Sequence, residues 1–287
     1  MTGTGTITDP YLVADIYDFI GINDSTTYSG DYFKLTANID FNSHETYKFG
    51  LTKQFINRPT AYLNCDGHSI RNVIIKEISS SSNAPFIFSE ISNCNFENLV
   101  LAYCSAFELI KAAMVNCNLG VFLSNTATKG LFYAKPRTDC YINIKGISMD
   151  GLNLSRVPLT RCHINIDITT SSDYIIRGDD ANFKFKLYDS YITGRLISTS
   201  RTTSNIRAIE CGILKNAYIA VSVETQQETL TIGNVTVYAP SYIDKDLIPL
   251  LDTSKVVENL HYLSTAQCKD AAYLQSIGFP VVPATKG

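Results

Sequence analysis

Cys94, Cys117, Cys140 and Cys162 stand 23, 23 and 22 residues apart, each in the same local setting. The stretches "SNCNFENLVL", "VNCNLGVFL", "TDCYINIKGI" and "TRCHINIDI" run from a polar residue through a cysteine to apolar residues at alternate positions. A step of 25 from Cys162 reaches Leu187, 24 more reaches Cys211 in "IECGILKNAYI", and another 24 reaches Val235. Backwards, Cys65 lies 29 residues before Cys94, with the polar run "ISSSSNAPF" taking up the excess. Self-similarity at a fixed period of this size marks a solenoid, whose units bury their apolar faces only against their neighbours.

The segments after each marker alternate at period two, as in Cys140, Ile142, Ile144 and in Cys162, Ile164, Ile166, Ile168. That is strand patterning, and Asn, Asp, Gly and Ser punctuate the joins as turns require. A coil of 22 to 25 residues carrying two or three short strands predicts an all-β, right-handed parallel β-helix. Successive rungs then lie ~4.8 Å apart and equivalent side chains stack. The cysteine recurs because one inward slot just after a turn takes a small apolar side chain. None of the eight cysteines forms a C-x-x-C pair of the kind zinc sites use. Stacked at rung spacing they fall within reach of disulfide geometry. Thiols are the expectation, because "MTGTGTITDPYL" lacks the basic start and apolar run of a secretory signal.

The ends read as caps, which a β-helix needs to cover its open edges. Val13, Ile16, Phe19 and Ile20 fall at helical spacing, and Phe33, Leu35, Ala37, Ile39 and Phe41 alternate as a strand. Near the other end "STAQCKDAAYLQSIGFPV" predicts a helix, with Ser264 and Gln267 as a capping box, Cys268 inside it, and Gly278 and Pro280 as the stop. The organisation expected is a cap over 1–60, a parallel β-helix over 61–240 and a helical cap over 241–287.

Residues 1 to 76 resemble the opening module of GLUG-type β-helical surface proteins. Asp9-Pro10-Tyr11, Ile39-Asp40, and Asp66-Gly67-His68 with Ile70 and Asn72 occupy the places of that module's motifs. The glycine-rich repeats that name the family are missing further on. The resemblance implies a β-helix at a cell surface or on a virion, including phage tail and fibre proteins, and brings no active site with it.

Few residues group into a chemical constellation. His68 in "DGHS" is similar to the Gly-His of pectin-degrading β-helix hydrolases, but the order and spacing of their other motifs fail here, and a hydrogen bond within the first turn is expected instead. Asp167, Asp173, Asp179, Asp180 and Asp189 are the aspartates from which adjacent coils could supply the paired carboxylates of a glycosidase, yet aspartates in turns are ordinarily turn chemistry. The triplet Arg177-Gly178-Asp179 is a chance-level match to an integrin motif, and "SRTTSNIR" over 200–207 reads as a solvated turn. Tyr188, Tyr191, Tyr218 and Tyr238 are candidates for outward faces that stack on glycan. No catalytic residue, cofactor or metal site is expected.

A net charge of −3 gives no reason to expect nucleic acid, and no segment reaches the ~20 apolar residues of a membrane span. The expectation is a non-enzymatic structural component of a bacteriophage virion, of the fibre, spike, tail or capsid-decoration type, made in the host cytoplasm. Its expected partners are other virion proteins at one end of the helix, host surface glycans and further copies of the chain. A bacterial surface adhesin module and a glycan-degrading β-helix enzyme are the alternatives.

Overall fold

The computed structural model describes residues 1–52, 55–76, 84–102, 110–126, 135–149, 152–154, 158–172, 174–178, 184–200, 206–210, 212–225, 229–248, 250–254 and 256–278. Among these described residues the strands stack into three parallel sheets, of ten, eleven and four strands, wound as a β-solenoid. Sheet 1 has ten strands, from Tyr11–Val13 and Tyr32–Leu35 through Ile56–Asn64, Phe86–Ser92 and Ile110–Val115 to Thr236–Val237. Sheet 2 has eleven, including Asn95–Ala102, Asn118–Thr126, Tyr141–Ser148, His163–Thr170, Tyr191–Ser198 and Tyr218–Glu224. Sheet 3 holds four short strands, Leu152–Asn153, Tyr174–Arg177, Ile206–Glu210 and Leu230–Ile232. The parallel β-helix read from the repeat is therefore the fold.

Stacked inward residues make the core. On sheet 2 the file runs Phe96, Leu119, Ile142, Ile164, Ile192, Ile219, Ile243. On sheet 1 it runs Leu63, Ile91, Met114, Arg137, Leu159, Leu187, Leu214. Arg137 is 0% exposed in that otherwise apolar file. Its guanidinium donates to the carbonyls of Ile110 and Ala112, so the charge is spread over backbone oxygens and not left bare.

The cysteines do form one vertical file. Asn118 N bonds Cys94 O, Tyr141 N bonds Cys117 O, and His163 N bonds Cys140 O, at 2.8 to 2.9 Å. The file then departs from the expected markers: Tyr191 N bonds Cys162 O, Tyr218 N bonds Ser190 O, and Tyr242 N bonds Ala217 O. The slot thus passes to Ser190, Ala217 and Ser241. Leu187 belongs to the sheet 1 core file, Val235 lies just before Thr236–Val237, and Cys211 is outside the described residues. A constant period missed the slot because the coils after Cys162 are 28, 27 and 24 residues long. The expectation of thiols also fails at one pair: Cys65 and Cys94, with Cα atoms 4.8 Å apart, are joined as a disulfide. Neighbouring rungs lie within bridging distance, and here the bond is made. Cys117, Cys140 and Cys162 are free and buried, and hydrogen bonding with Cys140 together with burial pushes the Cys117 and Cys162 thiols up.

The six slots from Cys94 to Ala217 each follow a residue in the left-handed region: Asn93, Asn116, Asp139, Arg161, Asp189 and Asn216 have φ between 49° and 54°, whereas Ser241 follows Pro240. Asn and Asp tolerate that conformation best, which accounts for the polar residue before the marker. The turn residues also bond along the axis, Asn93 to Asn64, Asn116 to Asn93, and Asn216 to Asp189, at 2.7 to 3.0 Å.

Parallel pairing extends on both sides of 61–240. Tyr11–Val13 pairs with Tyr32–Leu35, and Ser241–Asp244 with Leu260–Leu263. The first helix, α1, is Ile16–Gly21, shorter than the apolar spacing suggested, because the Asp15 carboxylate takes the amides of Tyr17 and Asp18 and leaves Val13 to the strand. At the other end the capping box of Ser264 and Gln267 is present, opening α2, Thr265–Lys269, on which Cys268 sits. Asp270 then caps a separate helix, α3, Ala271–Ser276. Leu274 of α3 packs with Tyr242 and Leu263.

Candidate functional site: the outer face of sheet 2

The residue after the slot points outward and, from Asn95 to Tyr218, begins its strand of sheet 2. Stacking therefore builds an outer file of Asn95, Asn118, Tyr141, His163, Tyr191, Tyr218 and Tyr242. His163 meets Tyr141 edge-on at 4.8 Å and lies over Tyr191 at 4.1 Å, while Tyr218 and Tyr242 are 4.4 Å apart. Tyr141 is 40% exposed, whereas Tyr242 is 1% exposed and packs with Leu274 of α3. The usable part of the file is thus its middle, Tyr141 to Tyr191.

Beside it runs a second outward file, Asn143, Asn165 and Thr193. Asn165 Nδ2 donates to Asn143 Oδ1 at 3.3 Å, Thr193 Oγ1 to Asn165 Oδ1 at 3.4 Å, and His163 Nε2 lies 2.8 Å from Thr193 Oγ1. This chain fixes the imidazole, and burial pushes the His163 pKa below its ordinary value, so the ring is neutral at pH 7. Burial raises the Tyr191 phenol, with a smaller contribution from Tyr141. Together with the turn file, these rows enclose an open groove of about 1140 Å³ lined by Asn118, Tyr141, Asn143, His163 and Tyr191 among others.

Asp139 and Arg161 form the lip. Arg161 donates Nε and Nη2 to the two carboxylate oxygens at 2.6 and 2.8 Å, which holds Asp139 below the usual carboxylate range. Arg161 is the one turn residue of this file that is neither Asn nor Asp. It stands between Asp139 and Asp189, and both carboxylates raise its own pKa.

The residues singled out in sequence are scattered. His68 closes the turn at Asp66-Gly67, its amide donating to Cys65 O at 2.8 Å. Asp167 is exposed on sheet 2 in register with Lys145 and Arg195, and Asp189 accepts from Asn216 at 2.7 Å. Asp173, Asp179, Asp180 and residues 201–205 lie outside the described residues, so neither the Asp-Asp pair nor the Arg-Gly-Asp triplet has a described geometry. Arg177 packs over the Tyr174 ring at 4.9 Å, and Arg207 pairs with Glu210 at 2.7 Å. Of the four tyrosines proposed for stacking, Tyr191 lines the groove. Tyr188 faces outward from sheet 1, Tyr218 is half-buried against Cys268, and Tyr238 is 68% exposed on a turn. Tyr141 and His163 were missed, although each directly follows a marker cysteine.

Among the described residues no group of three or more His, Cys, Asp or Glu is placed to hold a metal ion, and no helix is long and apolar enough to cross a membrane. Asp40 and Asn72 have a structural part to play: Asp40 accepts from Arg71 Nε at 3.0 Å and from Asn72 Nδ2 at 2.8 Å, tying the first rungs of sheet 2 together.

No family model matches the chain, and no curated protein matches it. Among solved structures, one described as a "putative immunoglobulin A1 protease" from Bacteroides ovatus aligns over 96% of this chain and 88% of its own, at 12% identity and a TM-score of 0.46.

Proposed function

We propose that the chain is a non-enzymatic structural component of a bacteriophage particle, of the fibre, spike, tail or decoration type, and that the outer face of sheet 2 contacts host surface glycan. The row Tyr141, His163, Tyr191 beside the amides and hydroxyl of Asn143, Asn165 and Thr193 carries the glycan reading. Sugar rings offer an apolar C–H face to aromatic planes and hydroxyls to amides, and this surface presents both, repeated along the axis every ~4.8 Å. Ladders that run from Tyr11 to Leu263, parallel at strand pairs along the solenoid such as Tyr11–Val13 with Tyr32–Leu35 and Ser241–Asp244 with Leu260–Leu263, suit a stiff projecting element.

The same groove argues for binding without turnover. Glycoside hydrolysis needs one carboxyl kept protonated opposite a second that is ionised. Of the two carboxylates that line the groove, Asp139 is held in the ionised state with both oxygens on Arg161, the opposite of a poised acid, and Glu97 accepts from the Ser69 hydroxyl.

Two measurements test the proposal. Immunogold imaging of purified particles is expected to label one structure of the virion; particles free of the chain overturn the virion assignment. Titration with host capsule or cell-wall glycan is expected to show binding that Tyr191→Ala weakens about tenfold, equivalent to about 1.4 kcal/mol. Sustained release of reducing ends by the native chain refutes the non-enzymatic reading. The Cys65–Cys94 disulfide favours a second reading, a bacterial surface adhesin, because such bonds persist outside the reducing cytosol.

A further inference from the structure

A second concavity lies on sheet 1 near the start of the chain. Tyr32, Tyr62 and Glu90 are register partners on three successive rungs, and Lys34, Asn64 and Ser92 form the row beside them. The N-terminal segment walls this floor with Thr8 and Pro10, enclosing about 620 Å³. The Tyr32 and Tyr62 rings are stacked 4.9 Å apart at 10°, and Tyr62 is 39% exposed.

The charges around the pair are unequal. Lys34 Nζ is held by Asp66 at 2.9 Å, and Asp31 accepts from Arg58 at 3.4 Å and from Thr60 at 2.9 Å. Each of those charges therefore has an opposite beside it. The Glu90 carboxylate, half-buried at the edge of the concavity, makes no hydrogen bond or ion pair of its own among the described residues. What remains is an aromatic platform with one uncompensated negative charge.

Several ligand classes fit this poorly. An anion meets the carboxylate, and a neutral sugar uses the rings but leaves Glu90 without a counter-charge. A hard divalent cation takes six or more oxygen ligands and gains little from phenol rings. An alkylated ammonium matches every element: its charge is attracted to the negative face of a tyrosine ring, its methyl groups are cheap to desolvate, and the carboxylate supplies the counter-ion. We propose that Tyr32, Tyr62 and Glu90 form a binding site for a quaternary ammonium group, separate from the groove on sheet 2.

The test is calorimetric titration of the full chain with choline and with 3,3-dimethylbutan-1-ol, its uncharged isostere. Choline is expected to bind at least about tenfold more tightly than the isostere, with an affinity that falls as salt rises. Glu90→Gln is expected to weaken choline about tenfold and Tyr62→Ala at least as much, while Tyr62→Phe keeps the site. These side chains face outward, and equal melting temperatures check that the variants fold. Tyr191→Ala should leave choline binding unchanged, so a failure of the glycan reading and a failure of this one are separable. Phosphatidylcholine vesicles distinguish the source: capture that free choline competes away marks a lipid headgroup, and choline binding without capture marks a soluble or polymer-borne group. Equal affinity for choline and the isostere, no heat with millimolar choline, or an unchanged affinity in Glu90→Gln each overturn the proposal.

Discussion

The slot behind the turn is filled by sulfur through one half of the solenoid and by Ser190, Ala217 and Ser241 through the other. In the cysteine half, slots are 23, 23 and 22 residues apart; beyond Cys162 the spacings are 28, 27 and 24. The turn before the slot is shared across the two halves from Cys94 to Ala217, a residue with φ near 50°; only Ser241, behind Pro240, departs from it. So is the bonding of the slot side chain. The thiols of Cys117, Cys140 and Cys162 donate to the carbonyl two residues back at 3.3 to 3.4 Å. Ser190 and Ser241 donate to theirs at 2.7 and 3.1 Å. The slot therefore selects small volume and, where a donor is present, directs it to one carbonyl; sulfur as such is not required. Coil length is set elsewhere. The sheet 3 strand is two residues long in the 22-residue coil and then four, five and three residues long in the coils of 28, 27 and 24.

The hardest test of that comparison is a charge in the slot. Cys140→Asp places a carboxylate between Cys117 and Cys162 in a file less than 3% exposed, with the Arg137 guanidinium already committed to the carbonyls of Ile110 and Ala112. A loss of about 3–5 kcal/mol is expected in urea unfolding. Parent-like unfolding would show that the file is not a sealed interior.

Next comes a left-handed glycine, which sheet 2 carries in each half at register positions two residues apart. Gly146 and Gly194 have φ of 112° and 118°, and a Cβ on Gly194 would lie 2.0 Å from Ile166 O. Gly194→Ala combines that overlap with a conformation L-residues avoid, and about 2–3 kcal/mol should be lost. An alanine accepted at less than about 0.5 kcal/mol would mean that sheet 2 can flatten there.

Exchange between the halves is milder. Cys140→Ser imports the chemistry of Ser190, and Ser190→Cys the reverse. Each should cost about 1 kcal/mol or less, because the donor keeps its carbonyl and the volume barely changes. A larger loss for Cys140→Ser than for Ser190→Cys would show that sulfur matters to the cysteine half after all.

The two halves also explain what could be read from sequence. Alternation after Cys94, Cys117, Cys140 and Cys162 fixed strand, face and stacking together, because a slip of one residue would expose every isoleucine that follows. Past Cys162 the marker itself changes to serine and alanine while the coil lengthens. Counting a constant period then lands on Leu187, an inward residue of the wrong sheet. That slip hid the outer file as well: Tyr191, Tyr218 and Tyr242 follow Ser190, Ala217 and Ser241 as Tyr141 and His163 follow their cysteines. Arg137 gave no sign in "KPRTDC" of facing inward, since its place depends on which carbonyls the coil leaves open. The break at Asp270 was missed for a local reason: its side chain accepts from Tyr273 N at 3.0 Å and starts a new helix instead of continuing the old one.

The smallest expected effect concerns the outer file, where the cysteine half places His163 and the other half places tyrosines. Burial disfavours the imidazolium in the folded chain, so the folded pKa of His163 lies below its ordinary 6.5. Well above pH 6.5 neither the folded nor the unfolded form carries the proton, and the residue does not affect stability. As the pH falls below 6.5 the unfolded chain takes up the proton first, so stability is lost until the pH passes the folded pKa, and it levels off beneath it. His163→Tyr installs the residue of Tyr191 and Tyr218, retains the stacking, and removes that step. Unfolding free energies measured from pH 7.5 to pH 5 should therefore fall less in the variant than in the parent, with near-equal values at pH 7.5. An identical decline in both would place the titration on some other group and show that the His163 ring is free to turn to water when it is charged.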